Sequence, residues 1–203
     1  METNSLLSRL FRLNAIFTTS EAKEVGISKY NLNKLAEVGE VARFGTGRAG
    51  VQLWSNESYS HDSFMAIQLR YPKAIISGQT ALSWWHLIDR QFTYLDLTVP
   101  RGYRIPTKFD RYIVSVHHVD ERYYPIGLTS VRTEEDSGSL NIYDPERSLI
   151  DAFRFKTITE FDRNQAVRNY FQSDICDPLK LSRYIEKFPG LSDLQRITEV
   201  LSH

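Results

Sequence analysis

Between Thr18 and Ser28 the chain sets two helix starts ten residues apart, and this spacing restricts the fold more than any other feature of the sequence. Thr18-Thr19-Ser20-Glu21 has the pattern of a capping box. In such a box the threonine hydroxyl accepts from the backbone N–H three residues on, and the glutamate reaches back to the threonine N–H. Gly26 follows Val25 and suits the left-handed turn that ends a helix. Ile27 then returns to the core, and Ser28 caps a further helix that runs to about Val38, where Gly39 stops it. The helix between Thr18 and Gly26 is therefore short. Upstream, Leu6, Leu7, Leu10 and Leu13 recur at helical spacing across Ser5 to Leu13, with Phe11 adding to that face. Helix, short helix, glycine turn, helix is the layout of a helix-turn-helix.

The third of these helices can be read face by face, with successive residues about 100° apart. Leu32, Leu35 and Ala36 fall on one side and are expected to pack inward. Tyr30, Asn33, Lys34 and Glu37 fall opposite, with Ser28 and Lys29 at the N-terminal tip. Amide, hydroxyl and ammonium groups on one helix face are the chemistry that reads base edges and holds phosphates. Directly afterwards, Val41-Ala42-Arg43-Phe44 and Val51-Gln52-Leu53-Trp54 form β-type runs on either side of a glycine-rich turn. A hairpin in this place turns the motif into a winged helix. The candidate DNA contacts are therefore Ser28, Lys29, Tyr30, Asn33 and Lys34 on the helix, with Arg43 and Arg48 on the wing reaching backbone or minor groove. Gly45-Thr46-Gly47-Arg48-Ala49-Gly50 matches the spacing of a dinucleotide-binding loop, but that loop needs a helix behind it to hold the pyrophosphate. Val51-Gln52-Leu53-Trp54 favours a strand instead, so no nucleotide site is expected.

Charge counts mildly against such a surface, although a basic face can sit on a neutral protein. The whole chain carries 25 Lys and Arg against 25 Asp and Glu. Residues 1 to 60 hold seven basic and six acidic side chains, so a phosphate-binding face must come from arrangement rather than excess. A lone cysteine, Cys176, cannot form an internal disulfide and fits a reducing compartment. The first residues lack the basic and apolar runs of a secretory signal, and no apolar stretch reaches the length of a membrane span, so a cytoplasmic location is expected.

The polar stretch 56–60 marks the expected junction between a DNA-binding domain, residues 1–58, and a larger α+β domain, residues 59–203. In the latter, Asp62 to Tyr71 and Thr80 to Leu87 read as helices, with Trp84 and Trp85 as core residues. Strand-like runs at Ala74–Ser77, Tyr94–Val99, Tyr112–His117, Leu128–Arg132 and Leu140–Tyr143 make a mixed sheet of four or five strands. Asp144-Pro145-Glu146 opens a helix, and three more begin near Glu160, Pro178 and Ser192.

No catalytic constellation emerges. His117 and His118 are neighbours on a strand and point to opposite faces, so they do not share a metal. Asp144, Glu146 and Asp151 suit a helix start, where acids complement the dipole. Asp96 sits on a strand suited to a nuclease but lacks a lysine two residues on. Catalytic residues, cofactors and metals are accordingly expected to be none.

Four segments in order resemble the AbiEi family, the antitoxins of abortive-infection toxin–antitoxin systems. Phe17 to Ser28 resembles the family's opening, a T-x-x-E-A segment before a G-I-S turn. Ile75 to Leu82 resembles its strand followed by an S-x-x-[ST]-A-L helix. Leu95 to Gly102 resembles its T-V-P-[RK]-G strand end, and Tyr143 to Asp151 its P-x-R-[ST]-L-[LI]-D helix. The chain departs from the pattern at Gly47–Val51, where relatives close the wing with a basic residue, Gly and Tyr, and at Gly78, where they often carry His. The resemblance implies a non-enzymatic antitoxin that represses its own promoter, on double-stranded DNA with repeated operator sites. Its functional partner would be a nucleotidyltransferase-like toxin, of a type IV system in which the two form no stable complex. The alternatives are a free-standing winged-helix regulator and a metal-dependent nuclease-like enzyme. The first is separated by the absence of a toxin reading frame downstream, the second by metal-dependent DNA cleavage.

Overall fold

A computed structural model describes residues 2–10, 12–13, 16–46, 52–56, 63–90, 94–109, 112–132 and 139–201. It is a mixed α+β structure with two sheets and, among the described residues, nine helices. Two compact units divide the chain: Met1–Pro72 with Ser130–Leu140, and Lys73–Thr129 with Asn141–His203.

The first unit opens with α1 (Glu2–Leu10) and β1 (Ile16–Thr18), followed by α2 (Thr19–Glu24) and α3 (Lys29–Glu37). A hairpin of β2 (Val41–Thr46) and β3 (Gln52–Asn56) comes next, then α4 (Ser63–Arg70). The capping box forms as its spacing demands. Glu21 N donates to Thr18 Oγ1 at 3.2 Å, and Thr18 N donates to the Glu21 carboxylate at 2.7 Å. Ser28 caps α3 by accepting from Asn31 N at 3.2 Å. Gly26 and Gly39, at φ +80° and +81°, supply the left-handed residues after α2 and α3.

Strand β3 pairs antiparallel with both β2 and β1, giving the order β1-β3-β2. The third strand, β1, has no counterpart in the sequence reading, because three residues are too few to display alternation. Its buried Ile16 and Phe17 anchor the hairpin to the helices. The core of this unit joins Leu10, Phe17, Ala22, Ile27, Leu32, Leu35, Val41 and Trp54. Helix α1 ends at Leu10 rather than Leu13, and Leu13 still packs against that core.

The second sheet has six strands, one more than the sequence suggests, in the order β6-β7-β5-β4-β9-β8. They are β4 (Ile75–Ile76), β5 (Tyr94–Pro100), β6 (Lys108–Phe109), β7 (Tyr112–Val119), β8 (Leu128–Arg132) and β9 (Ser139–Tyr143). β5 runs parallel to β7 and antiparallel to β4, while β4 is parallel to β9. Helix α5 (Gly78–Trp84) lies between β4 and β5 in the chain. It starts two residues before the expected Thr80, because Gly78 at φ +52° lets the chain turn directly out of β4. It also ends at Trp84 rather than Leu87, and His86 behind it is itself left-handed at φ 56°. Helices α6 (Pro145–Arg154), α7 (Glu160–Phe171), α8 (Pro178–Ile185) and α9 (Ser192–Leu201) complete the unit. They share a core with α5 through Leu82, Leu149, Ile150, Tyr170, Leu181 and Leu194. Trp84 and Trp85 are only half-buried, and the Trp85 indole donates to Tyr143 O at 2.7 Å. No described helix is long and apolar enough to cross a membrane.

Candidate functional site

Helix α3 is amphipathic in the sense its sequence dictates. Leu32 and Leu35 are fully buried against the first unit's core, while Lys29, Tyr30 and Lys34 stand exposed and Asn33 is half-buried. Tyr30 is 65% exposed, which is a large aromatic face left to solvent. The Lys34 ammonium lies 4.8 Å from the centre of its ring, a cation–π contact across one helical turn. Lysine and tyrosine thus present one combined surface, positive over aromatic.

The hairpin meets this helix through Arg43. Val41 and Arg43 are two residues apart on β2 and so share a face; Val41 enters the core and Arg43 lies beside the helix. The Arg43 guanidinium donates from Nη2 to Asn33 Oδ1 at 2.7 Å. Across the strand pair Arg43 stands opposite Trp54, with its guanidinium 5.8 Å from the indole centre. Trp54 is buried, and its Nε1 donates to Thr19 Oγ1 at 2.9 Å, which ties β3 to the start of α2. Register slips between Arg43 and Thr46, so the strand is irregular just beyond the arginine.

The structure therefore joins Asn33 to Arg43 and Tyr30 to Lys34, on one side of α3. Ser28 is spent on capping, with its hydroxyl held by the Asn31 N–H, and Lys29 opens the helix as an exposed cation. Arg48, together with the rest of the glycine-rich segment 47–51, lies outside the described residues. The element after that segment is strand β3 and not a helix. No family model matches the chain, and no curated protein does either.

The second unit contains polar networks that sequence reasoning missed or read only in part. Asp96 is completely buried, and its Oδ1 lies 2.7 Å from His117 Nε2. Its Oδ2 accepts from Gln79 N at 2.9 Å. The imidazole stacks flat on Phe155, with ring centres 3.6 Å apart. Ser115 Oγ also approaches the same Nε2, at 3.4 Å. In a nucleophile–base–acid relay the acid and the nucleophile meet opposite nitrogens of the ring, which this arrangement does not provide. Strand register brings the pair together, since β5 and β7 align Asp96 with Ser115 and Thr98 with His117. His118 points the other way and lies 3.1 Å from Tyr103 O.

Every acid around α6 has a partner, and Asp144 and Glu146 share Lys180. Asp144 caps the helix by accepting from Arg147 N at 2.8 Å, and Tyr184 donates to its other oxygen at 2.9 Å. Lys180 bridges Asp144 and Glu146 at 3.0 and 2.7 Å. Burial pulls the Lys180 pKa down, but its bonds to Glu146 and Asp144 outweigh that and leave it above the ordinary lysine value. Asp151 pairs with the buried Arg147 at 3.0 Å. Burial pushes the Cys176 thiol up, which disfavours the reactive thiolate. Among the described residues no group of three His, Cys, Asp or Glu side chains is placed to hold a metal ion.

Proposed function

We propose that the chain is a DNA-binding transcriptional repressor of the AbiEi antitoxin kind, whose first unit is a winged helix with α3 as its reading helix. The observation that carries this reading is the exposed face of α3. There Lys29, Tyr30, Lys34 and the Arg43–Asn33 pair offer cationic and amide groups, while Leu32 and Leu35 seat the same helix in the core. Such a helix can enter a groove without giving up its packing, and these groups suit phosphates and base edges. The sheet order β1-β3-β2 supports the wing. Because β3 is paired on both sides, the hairpin is held beside α3 instead of hanging as an isolated ribbon.

The repressor acts on its own promoter, and its second unit carries the antitoxic activity against a nucleotidyltransferase-like toxin. The deciding experiment is a gel shift with the DNA upstream of its own operon, repeated at several salt concentrations. Retarded complexes that weaken as salt rises are expected. Failure to shift that DNA at low salt would sink the repressor reading. Antitoxicity is tested separately, by co-expressing the chain with the nucleotidyltransferase-like product encoded next to it. Growth rescue is expected, and unrelieved toxicity would leave only a regulator.

A further inference from the structure

We infer that Asn33 and Arg43 act as one joined unit that selects a guanine edge, so that a G·C pair lies beneath α3 in the bound DNA. This rests on the DNA-binding reading above and adds the chemistry of the base that is read.

Arg43 Nη2 and Asn33 Oδ1 are 2.7 Å apart, the short distance of a charge-assisted bond. A guanidinium has donors only, so the atom that faces it must be the amide oxygen. This fixes the Asn33 amide with its oxygen toward the arginine and its NH2 turned away. Arg43 is itself positioned from behind, opposite Trp54 on the neighbouring strand and near its indole face. Trp54 in turn is anchored to Thr19. The amide is thus oriented before any DNA arrives.

A lone asparagine reads adenine by accepting from the N6 amino group and donating to N7. Here the accepting oxygen already carries a guanidinium. An adenine amino group approaching it would bring its own hydrogens against a fixed positive charge. Guanine offers two acceptors, O6 and N7, on the same edge. The Asn33 NH2 and the remaining Arg43 N–H groups are all donors, so the joined pair complements guanine and opposes adenine. Asn33 alone would not give this outcome; the bound guanidinium leaves its amide only donors to offer the base.

The test is selection of bound duplexes from a random library, with the wild-type chain and the variants Asn33→Ala, Arg43→Ala and Arg43→Lys. Thermal melts of each variant establish that it is folded. A good two-point base contact discriminates by about 1–3 kcal/mol, or roughly 5- to 150-fold. One G·C pair in the wild-type site should therefore disfavour G-to-A replacement at least about five-fold. Asn33→Ala should erase most of that discrimination. Arg43→Ala should turn the preference at the same pair toward adenine, because the amide oxygen is released. Arg43→Lys should keep guanine, since an ammonium can still donate to Oδ1. A site in which Arg43→Ala and Asn33→Ala leave every base preference unaltered overturns the inference while DNA binding stands. A wild-type adenine preference at the pair sensitive to Asn33 does the same. No binding to any duplex removes the DNA reading and this inference with it.

Discussion

Asn33 and Lys34 are adjacent in sequence, yet their side chains hold different kinds of contact. Asn33 is bonded to an arginine from the next element, whereas Lys34 rides over a tyrosine of its own helix. They should separate in solution. Asn33→Ala is expected to lose about 1–3 kcal/mol on the specific site and to relax its sequence preference, read as the ratio of specific to random-sequence affinity. Lys34→Ala should weaken all sequences alike and flatten the slope of log K against log salt by about 0.9. Equal effects of the two variants on both measurements would mean that the helix face does not divide the work this way. Their outward placement was legible in the sequence, since Leu32 and Leu35 fix the buried side and helical periodicity sends Asn33 and Lys34 opposite. The Arg43 contact was not, because strand alternation gives a face and says nothing about which helix lies over it. Position 78 is a second such case, because the reason for its glycine lies in a residue distant in sequence. An ideal Cβ there would lie 2.8 Å from the Asp96 carboxylate, on a backbone at φ +52°. Gly78→Ala should lower stability by about 1–3 kcal/mol, seen as a lower urea midpoint.

Five helices of this chain begin where local chemistry tells them to. Thr18, Ser28, Asp144, Thr159 and Asp177 all cap helices through side-chain oxygens, and each bond spans only three residues. Thr18→Ala should cost about 0.5–2 kcal/mol, and Thr18→Ser should restore most of it, since only the hydroxyl is needed. Thermal melts of the two variants check this, and equal losses in both would assign the effect to the lost methyl group instead. Helix α6 shows what local signals leave out. Its Arg147 is 1% exposed, donates to Tyr123 O and Ile126 O at 2.6 and 2.8 Å, and lies over the rings of Tyr143 and Phe188. On a helical wheel it reads as an ordinary polar position. Arg147→Met should cost about 3–5 kcal/mol, because it leaves Asp151 buried without its partner. Strand β1 escaped notice for the opposite reason: its three residues become a strand only through pairing with β3.

For the whole molecule, electrical neutrality limits the grip on DNA that the proposed winged helix would have. With seven basic against six acidic side chains in residues 1–60, few phosphates can be neutralised, and the overall salt slope should be shallow. A steep slope would point to a basic surface elsewhere in the chain. The second unit offers a matching test of the non-enzymatic reading. Its pair of buried Asp96 and half-buried His117 is the arrangement most open to a catalytic interpretation, although the histidine meets both neighbours through one nitrogen. The purified chain should cut no DNA with magnesium or manganese, and His117→Gln should leave promoter binding unchanged. Metal-dependent scission lost in that variant would make the unit a nuclease.

The sequence alone determined where the capped helices α2, α3, α6, α7 and α8 begin, which faces of α3 are buried and exposed, and the α+β class, because these depend on spacings of three or four residues. Caps, glycine turns and apolar periodicity are properties of short segments, and they act before distant parts of the chain meet. Only the tertiary structure decided that Arg43 holds Asn33, that His117 meets Asp96 and that Trp54 ties to Thr19. It also set the sixth strand and the order β6-β7-β5-β4-β9-β8. Those outcomes arise when buried faces from separate segments pack and each enclosed polar group must find a partner. Residue spacing says which groups need a partner; only packing brings one within reach.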